Sequence, residues 1–362
     1  MSAPRVVIAD DSAFMRRLIS DALTRDGMEV VATAANGRDA IEACRQHSPD
    51  VLSLDLAMPE VDGIGVLRAL RDIESLRIVV VSSFSESEGI RAVDALAEGA
   101  FELVPKQSSS GKLQDFLDDL LAKIQAASFE HDRSSRERPK APHRPERSTR
   151  AAETGARGPA DGGGAKRKLA RAATTNGRRL VVIAASTGGP RALTTLMTDL
   201  PAGLGQGGLI IQHMPTGFTK SLAARLDTYS GMTVSEASAG DKIVRGHAFV
   251  APGGRHMRVR GHKIRLSDDP AVTGLRPCAD ITIADAVGEY GENIVLAVLT
   301  GMGRDACAGA RQVREAGGIV IVEHGATTTV NGMPKAVSDA GLADAILPIY
   351  EIGAAVREAA GG

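Results

Sequence analysis

Short apolar runs separated by amphipathic stretches form a regular alternation in the first third of the chain. Five runs have the length and composition of buried strands, and they occupy residues 6–9, 30–32, 51–54, 78–81 and 101–104. The stretches between them, such as residues 14–23, have the apolar spacing of helices. This alternation predicts a (βα)5 parallel sheet with helices on both faces.

A second alternation of the same kind starts at residue 180. Buried-type runs recur at residues 180–184, 208–211, 248–251, 294–299 and 319–322, with helical stretches between them. They predict a second α/β domain, a doubly wound, Rossmann-like parallel sheet. Residues 257–266 differ, because two short apolar alternations flank the Gly261-His262 pair. They predict a β-hairpin, added as antiparallel strands at one side of the sheet.

The segment between the two domains, residues 128–179, lacks this apolar pattern. It contains 14 Lys or Arg and 6 Asp or Glu, a net charge of +8, and its only large apolar side chains are Phe129 and Leu169. Such a segment cannot bury enough surface to offset its ordering entropy. We therefore predict an N-terminal domain (residues 1–127), a disordered basic linker (128–179) and a C-terminal domain (180–362). A solvated tether is the preferred interpretation of the linker, and attraction to acidic partners or anionic membrane surfaces is the alternative.

The composition narrows the class of protein. The 362 residues are 43% hydrophobic and 24% charged, with a formal net charge of −1, which argues against a protein dedicated to nucleic acid. The sequence starts without the apolar segment of a signal peptide, and no run reaches the roughly 18 apolar residues of a membrane span. Cys44, Cys278 and Cys307 have neither disulfide nor metal-site spacing. We expect a cytoplasmic protein with no membrane insertion and no nucleic-acid partner.

Polar side chains follow the predicted strands of the N-terminal domain. Asp10 and Asp11 follow the first strand, Asp55 the third, Ser82 the fourth and Lys106 the fifth. Because the carboxyl ends of neighbouring parallel strands converge, three carboxylates there can hold a hard cation such as Mg²⁺. Asp55 can then accept a phosphoryl group whose charge the metal and Lys106 neutralise. Taken singly, Asp11 can instead cap a helix and Lys106 can be a solvated loop charge.

These residues carry a resemblance to a known family. Together with the turns at Met58-Pro59 and Asp62-Gly63, they resemble the response-regulator receiver domain over residues 1–125. The resemblance implies that a histidine kinase phosphorylates Asp55, that Mg²⁺ binds the acidic residues, and that Ser82 and Lys106 contact the phosphoryl oxygens. One position departs from the family pattern, since Leu103 stands where receivers often have a Tyr or Phe that reports phosphorylation.

Three strand ends of the C-terminal domain carry a second set of reactive side chains. Ser186 precedes a Gly-Gly-Pro turn, His213 follows the next strand, and Asp305 follows the strand that ends at residue 299. Such residues can meet in space as a nucleophile, a base and a group that orients the base. The glycine-flanked N–H of Met302 can face an oxyanion. The alternatives are that Ser186 caps a helix, that His213 is a hydrogen-bonded loop histidine, and that Asp305 caps the helix beginning near Cys307.

The same residues resemble the chemotaxis protein-glutamate methylesterase family from residue 180 to residue 352. The motifs that carry the resemblance are Ala185-Ser186-Thr187-Gly188-Gly189-Pro190, Gln212-His213-Met214-Pro215, Ala251-Pro252-Gly253-Gly254-Arg255-His256, Thr300-Gly301-Met302-Gly303 with Asp305, and Gly332-Met333-Pro334. The resemblance implies a Ser186, His213 and Asp305 triad, with Thr187 and Met302 assisting the substrate carbonyl. Two positions depart from the family pattern: Cys278 stands where Ser is usual, and Asn331 where Trp is common.

The sequence therefore predicts a phosphorylation-controlled esterase. It would hydrolyse glutamyl methyl esters on chemoreceptors and, by the same acyl chemistry, deamidate selected glutamines. The esterase chemistry needs no cofactor, and the partners implied are a histidine kinase and methyl-accepting chemoreceptors. One rival is a receiver fused to a nucleotide-binding module, but a full Gly-x-Gly-x-x-Gly with a downstream acid is missing. The other is a transcription regulator, which the linker charge favours and the βα alternation opposes.

Overall fold

The computed structural model describes residues 3–83, 85–106, 113–136 and 178–361. The first three ranges form a receiver-type domain in which strands and helices alternate, and its elements in chain order are β1 (Arg5–Ala9), α1 (Ala13–Arg25), β2 (Glu29–Ala34), α2 (Gly37–His47), β3 (Val51–Asp55), α3 (Gly63–Ala69), β4 (Arg77–Ser82), α4 (Glu86–Ala97), β5 (Glu102–Pro105) and α5 (Leu113–Arg136). The sheet is parallel, in the order β2-β1-β3-β4-β5. The predicted (βα)5 sheet is confirmed.

Local side chains fix where the receiver helices begin. Ser12, Asn36, Asp62 and Ser85 each accept a hydrogen bond from the backbone N–H three residues ahead, at the starts of α1 to α4. These bonds satisfy N–H groups that a helix leaves without partners. Ser12 and Asn36 lie within three residues of the end of the preceding strand, so the turns after β1 and β2 are short, whereas Asp62 follows the end of β3 by seven residues.

The predicted linker, residues 128–179, has the wrong boundary at each end. Helix α5 continues through Arg136, because residues 113–138 contain neither Gly nor Pro and good helix formers persist after the apolar stripe ends. At the other end Arg179 is buried in the C-terminal domain, where its N–H and Nη1 donate to the carbonyls of Ala360 (3.1 Å) and Ala359 (2.8 Å). The remainder of the predicted linker, residues 137–177, lies outside the described residues.

The C-terminal domain is built on a seven-stranded parallel sheet. Its elements are β6 (Leu180–Ala185), α6 (Gly189–Thr198), β7 (Gly208–Gln212), α7 (Phe218–Tyr229), β8 (Thr233–Glu236), β9 (His247–Val250), β10 (His256–Arg260), β11 (Lys263–Ser267), α8 (Ala279–Tyr290), β12 (Ile294–Val298), α9 (Cys307–Glu315), β13 (Ile319–Glu323), α10 (Met333–Asp339), β14 (Ala345–Leu347) and α11 (Ile349–Ala360). The order is β14-β13-β12-β6-β7-β9-β8. The strand order reverses between β6 and β12, and ligands of open α/β sheets bind outside the strand ends at such a point.

The predicted hairpin forms, but its predicted place is wrong. Strands β10 and β11 pair antiparallel through Gly261 and His262, which both have positive φ, as a two-residue hairpin turn requires. They form a separate two-stranded sheet rather than an addition to the main one. The reason is burial: Met257, Val259 and Ile264 pack in one cluster that also contains buried residues of α8, so the hairpin covers that helix.

The two domains pack face to face. Helix α4 of the receiver contacts α6 and α7 of the C-terminal domain, and Arg225 on α7 forms an ion pair with Asp94 on α4. One cluster of buried apolar side chains extends from the receiver into the C-terminal domain. Within the described ranges, no helix combines the length and the apolar character that crossing a membrane requires.

Candidate functional site

Three carboxylates converge at the carboxyl ends of β1 and β3. Asp10, Asp11 and Asp55 each offer one oxygen, and these oxygens all lie within 4.8 Å of one another. Lys106 joins them after β5, with Nζ 2.6 Å from Asp55 Oδ2 and 3.1 Å from Asp10 Oδ2. The backbone N–H of Lys106 donates to the carbonyl of Ser82 at 2.8 Å, so the end of β4 is adjacent. The structure thus brings together all five receiver residues singled out in the sequence.

The electrostatics of this acidic cluster suit a cation. Burial raises the pKa of Asp10 above its ordinary value, and Lys106 offsets part of that rise. Burial lowers the pKa of Lys106, but the hydrogen bond and charge of Asp55, together with the charge of Asp10, outweigh that effect and leave the pKa raised. Among the described residues, Asp10 Oδ2 has no hydrogen bond of acceptable geometry despite its contact with Lys106. A buried oxygen of this kind, beside two further carboxylates, fits Mg²⁺, which binds through carboxylates and water.

Ser186 is the first residue after β6, at the reversal of the strand order. Its N–H donates to the carbonyl of Thr300 (3.0 Å), and its carbonyl accepts from the N–H of Gly189 (2.7 Å). Gly188 has a φ of 77°, a conformation that side chains rarely allow. A Cβ on Gly301 would lie 2.7 Å from the Cβ of Ser186. The two glycines therefore permit a turn that holds the serine against the end of β12.

A buried carboxylate that the sequence did not single out supports this turn. Glu323, the last residue of β13, accepts from the N–H of Thr300 (2.8 Å) and the hydroxyl of Thr327 (3.0 Å). Thr300 in turn donates its hydroxyl to the carbonyl of Thr187 (2.9 Å). Burial raises the pKa of Glu323. Its signal in the sequence is the one that identified Asp55, an acidic residue directly after a buried apolar run.

The structure joins two of the predicted catalytic side chains directly. His213 follows β7, and its Nε2 lies 2.7 Å from Oδ2 of Asp305. Both side chains are nearly inaccessible to solvent, with exposures of 9% and 3%. No hydrogen bond joins the Ser186 hydroxyl to His213 among the described residues, although both side chains line one cavity of about 820 Å³. Catalytic hydrogen bonds are often long without substrate and tighten when it binds.

Asp305 has a full set of hydrogen-bond donors. Besides His213, it accepts from the N–H groups of Ala279 (2.6 Å), Asp280 (2.9 Å) and Ala306 (2.9 Å). Burial alone would raise its pKa, but His213 and the N–H groups at the start of α8 hold the pKa of Asp305 well below its ordinary value. Asp305 therefore does cap a helix, but this helix is α8 rather than the one that begins at Cys307.

Two side chains at the start of α8, those of Cys278 and Asp280, lie beside Asp305. Cys278 Sγ lies 3.2 Å from Asp305 Oδ1 and donates to it. Burial, reinforced by the Asp305 charge, raises the pKa of the Cys278 thiol to about 12, so the group stays protonated and can donate. Burial also raises the pKa of Asp280 to about 6, against a contrary effect of the hydrogen bond from the Gly309 N–H at 2.7 Å. The sequence marked Cys278 only as a departure from the family pattern and gave no contact for it.

The two residues predicted to assist the substrate carbonyl lie in the same cavity. Met302 is partly exposed, at 46%. Thr187 is buried, and its hydroxyl donates at 2.7 Å to Oε2 of Glu102 in the receiver strand β5. Residues of β5 and α5, including Glu102 and Lys123, form the receiver side of the cavity. The sequence gave no signal for Glu102, because the contact depends on how the two domains pack.

Comparisons with known proteins cover both domains. Residues 181–356 match the family model described as CheB methylesterase, and residues 6–118 match that of the response regulator receiver domain. A protein of Symbiobacterium thermophilum named protein-glutamate methylesterase/protein-glutamine glutaminase is 40% identical over 99% of this chain and 97% of its own length. A Myxococcus xanthus protein of that name, numbered 5, is 38% identical over 99% and 98%.

Among solved structures, the CheB methylesterase catalytic domain of Thermotoga maritima is 40% identical. It covers 50% of this chain and 98% of its own, with a TM-score of 0.49. The two whole-length relatives decide the family, because their similarity spans the receiver and the catalytic domain together. The chain belongs to the protein-glutamate methylesterase/protein-glutamine glutaminase family, carboxylic ester hydrolases that here carry a receiver domain ahead of a CheB methylesterase domain.

Proposed function

We propose that this chain is a phosphorylation-activated hydrolase that demethylates glutamyl methyl esters, and deamidates selected glutamines, on methyl-accepting chemoreceptors. The observation that carries the proposal is the 2.7 Å contact between His213 Nε2 and Asp305 Oδ2 in the cavity that Ser186 lines. A base held by an ionised carboxylate beside a serine is the arrangement that acyl transfer requires. The family membership of the chain supports the choice of glutamyl substrate.

The first half of the reaction forms an acyl-enzyme. Ser186 Oγ attacks the side-chain carbonyl carbon of the ester while His213 takes the hydroxyl proton. The carbonyl oxygen becomes an oxyanion, for which Thr187 and the N–H of Met302 are the donors we propose. When the tetrahedral intermediate collapses, the bond to the methoxy group breaks and His213 returns the proton to it, so methanol leaves. With a glutamine substrate the same step releases ammonia.

The second half restores the serine. Water attacks the acyl carbon, His213 takes a proton from it, and the bond to Ser186 Oγ breaks as that oxygen regains a proton. The product is a glutamate side chain. Asp305 remains ionised throughout, because its donors keep its pKa far below neutrality, and its charge stabilises the imidazolium that forms in both halves.

The acidic cluster of the receiver is the proposed phosphorylation site. Asp55 accepts the phosphoryl group from a histidine kinase, and Ser82 and Lys106 contact its oxygens. Asp10, Asp11 and Asp55 would hold Mg²⁺, which would supply positive charge to offset the charge that builds on the transferred group. The raised pKa of Lys106 supports this role, since it keeps the side chain cationic beside the acceptor.

The receiver controls the esterase by covering its cavity. Residues of β5 and α5 line one side of the cavity that contains Ser186, so a receptor helix and the docked receiver compete for the same opening. Phosphorylation of Asp55 would weaken this packing and admit the receptor.

The test is methanol release from methylated receptor membranes. Ser186→Ala should remove it, with a fall of about 10³-fold or more, because the nucleophile is lost. Ser338→Ala is a matched control, since that hydroxyl donates to the Pro334 carbonyl on α10. Most of the activity surviving in a folded Ser186→Ala protein would refute the mechanism.

A further inference from the structure

One receiver side chain reaches into the catalytic cavity and is held there. Glu102 is the first residue of β5, and it lines the cavity together with Ser186. Its Oε2 accepts the hydroxyl of Thr187 at 2.7 Å, and its Oε1 accepts the N–H of Leu103 at 3.0 Å. Both carboxylate oxygens are therefore engaged, one by the receiver and one by the residue next to the proposed nucleophile.

The chemistry of this contact matches that of the proposed reaction. A hydroxyl donating to a carboxylate at 2.7 Å has the length of a charge-assisted hydrogen bond, roughly twice as strong as a neutral one. The group bound is the γ-carboxylate of a glutamate, which is also the product of glutamyl ester hydrolysis. A side chain of the same length and end group as the product thus contacts a residue proposed to handle the substrate carbonyl.

We propose that Glu102 is an internal product mimic, which keeps the receiver closed by occupying the place at Thr187 that the glutamyl side chain of the substrate takes. The inference rests on the proposed function, because it assumes a glutamyl substrate. It differs from simple steric blocking of the cavity by the receiver. Here the inhibition is assigned to the Glu102 carboxylate, which competes with the substrate for the hydroxyl of Thr187.

A second contact between the domains provides a comparison. Arg225 and Asp94 form an ion pair between α7 and α4, outside the residues that line the cavity. Their side chains are 20% and 42% exposed, and ion pairs that exposed contribute little to stability. Loss of the Arg225–Asp94 pair removes only adhesion between the domains. Loss of the Glu102 carboxylate removes both adhesion and the competitor for Thr187.

The position of Glu102 also links it to the phosphorylation site. Strand β5 runs from Glu102 to Pro105, and the next residue is Lys106, whose Nζ contacts Asp55 at 2.6 Å. A displacement of Lys106 on phosphorylation can therefore reach Glu102 along one short strand. This route does not require rotation of an aromatic side chain, and this receiver has Leu103 at the position where others carry one.

The experiment uses the full chain and no phosphodonor. Methanol release is measured against the concentration of methylated receptor membranes for the wild type, Glu102→Ala, Glu102→Gln and Asp94→Asn. Removing a competing ligand should lower the apparent KM and leave kcat unchanged. We expect a fall in KM of roughly tenfold for Glu102→Ala, the usual effect of losing a hydrogen bond to a charged group. The KM of the isosteric Glu102→Gln variant should fall less than that of Glu102→Ala. The KM of Asp94→Asn should stay within about twofold of the wild-type value.

Addition of a small phosphodonor with Mg²⁺ should bring wild type and both Glu102 variants to the same KM. Three results would overturn the inference. In the first, the wild type is active and both Glu102 variants have the wild-type KM. In the second, Asp94→Asn lowers the KM as much as Glu102→Ala does, and in the third, the Glu102 variants change kcat rather than KM. These outcomes differ from failure of the proposed function, in which the wild type itself would release no methanol.

Discussion

Each of the two domains has a buried aspartate at the carboxyl end of its parallel sheet. The surroundings of these two aspartates shift their pKa values in opposite directions. In the receiver, Asp10 has a raised pKa, and its Oδ2 has no well-directed hydrogen bond among the described residues. In the catalytic domain, Asp305 accepts from three backbone N–H groups, the Cys278 thiol and His213, and its pKa is strongly lowered. The sheets are alike, so the difference comes from the groups around the carboxylate.

That difference indicates what each site can bind. An under-satisfied group of carboxylates beside Lys106 leaves room for a divalent cation and an incoming phosphoryl group. Asp305 has its carboxylate oxygens engaged by these donors, and its charge is held beside His213, where the proposed mechanism needs it to stabilise an imidazolium. The N–H groups of Ala279 and Asp280 at the start of α8 also stabilise the ionised carboxylate, after the larger effect of His213.

Removal of the proposed base should have the largest effect. His213→Ala eliminates the group that moves the proton in both halves of the reaction, so methanol release should fall by about 10³-fold or more. His262→Ala is the matched control, because that histidine stacks edge-to-face on Tyr290 at the turn of the β10–β11 hairpin. Near-normal turnover by a folded His213→Ala protein would show that another group acts as base.

Removal of the charge on Asp305 should have the next largest effect. Asp305→Asn keeps the size of the side chain but cannot hold the charged imidazole, and its amide group meets backbone donors at the start of α8. We expect kcat to fall on the order of 10³-fold. Asp285→Asn, on the same helix and paired with Arg258, should leave kcat within about twofold. Equal losses in the two variants would trace the effect to α8 rather than to His213.

The thiol that donates to Asp305 should matter less. Cys278→Ala removes one of several donors, so we expect kcat to fall by about two- to tenfold. Cys278→Ser restores a donor of the kind usual in the family and should stay near the wild-type kcat. Steady-state rates of methanol release distinguish the variants, and identical rates for Ala and Ser would mean that the Sγ–Oδ1 contact at 3.2 Å does not orient Asp305.

The smallest effect concerns stability. Because the pKa of Asp280 rises from 3.8 to about 6 on folding, the folded protein binds more protons than the unfolded one between these pH values. The ionised carboxylate therefore costs stability that grows as pH rises through this window and is constant above it. The free energy of unfolding of Asp280→Asn, relative to that of the wild type, should therefore be higher at pH 8 than at pH 4. We expect a difference of about 1 kcal/mol after allowance for solvent screening. Urea unfolding at both pH values measures this, and a pH-independent difference would contradict it.

Most of the fold could be predicted because continuous apolar runs mark strands that are buried on both faces. The edge strands β8 and β14 were missed, since Thr233–Glu236 and Ala345–Leu347 are only partly buried and lack such a run. Helix α5 continues to Arg136, beyond the last residue of its apolar stripe. A prediction based on apolar spacing therefore ends this helix too early.

The strand-end residues of both sites could be predicted because the ends of parallel strands converge. The contacts that tune them could not. The donors of Asp305 at α8 lie 25 and 26 residues away in the chain, and no local pattern connects them. Glu102 was missed for a stronger reason: its partner Thr187 lies in the other domain, so only the packing of the two domains brings them together.

The proposed regulation depends on one link: phosphorylation of the acidic cluster controls the reaction at Ser186. The most direct measurement is the rate of methanol release from methylated receptor membranes by the wild type and Asp55→Asn, with and without a small phosphodonor and Mg²⁺. We expect the donor to raise the wild-type rate several-fold, whereas Asp55→Asn keeps a basal rate and does not respond. An equal rise in both proteins would show that the stimulation does not depend on phosphorylation of Asp55.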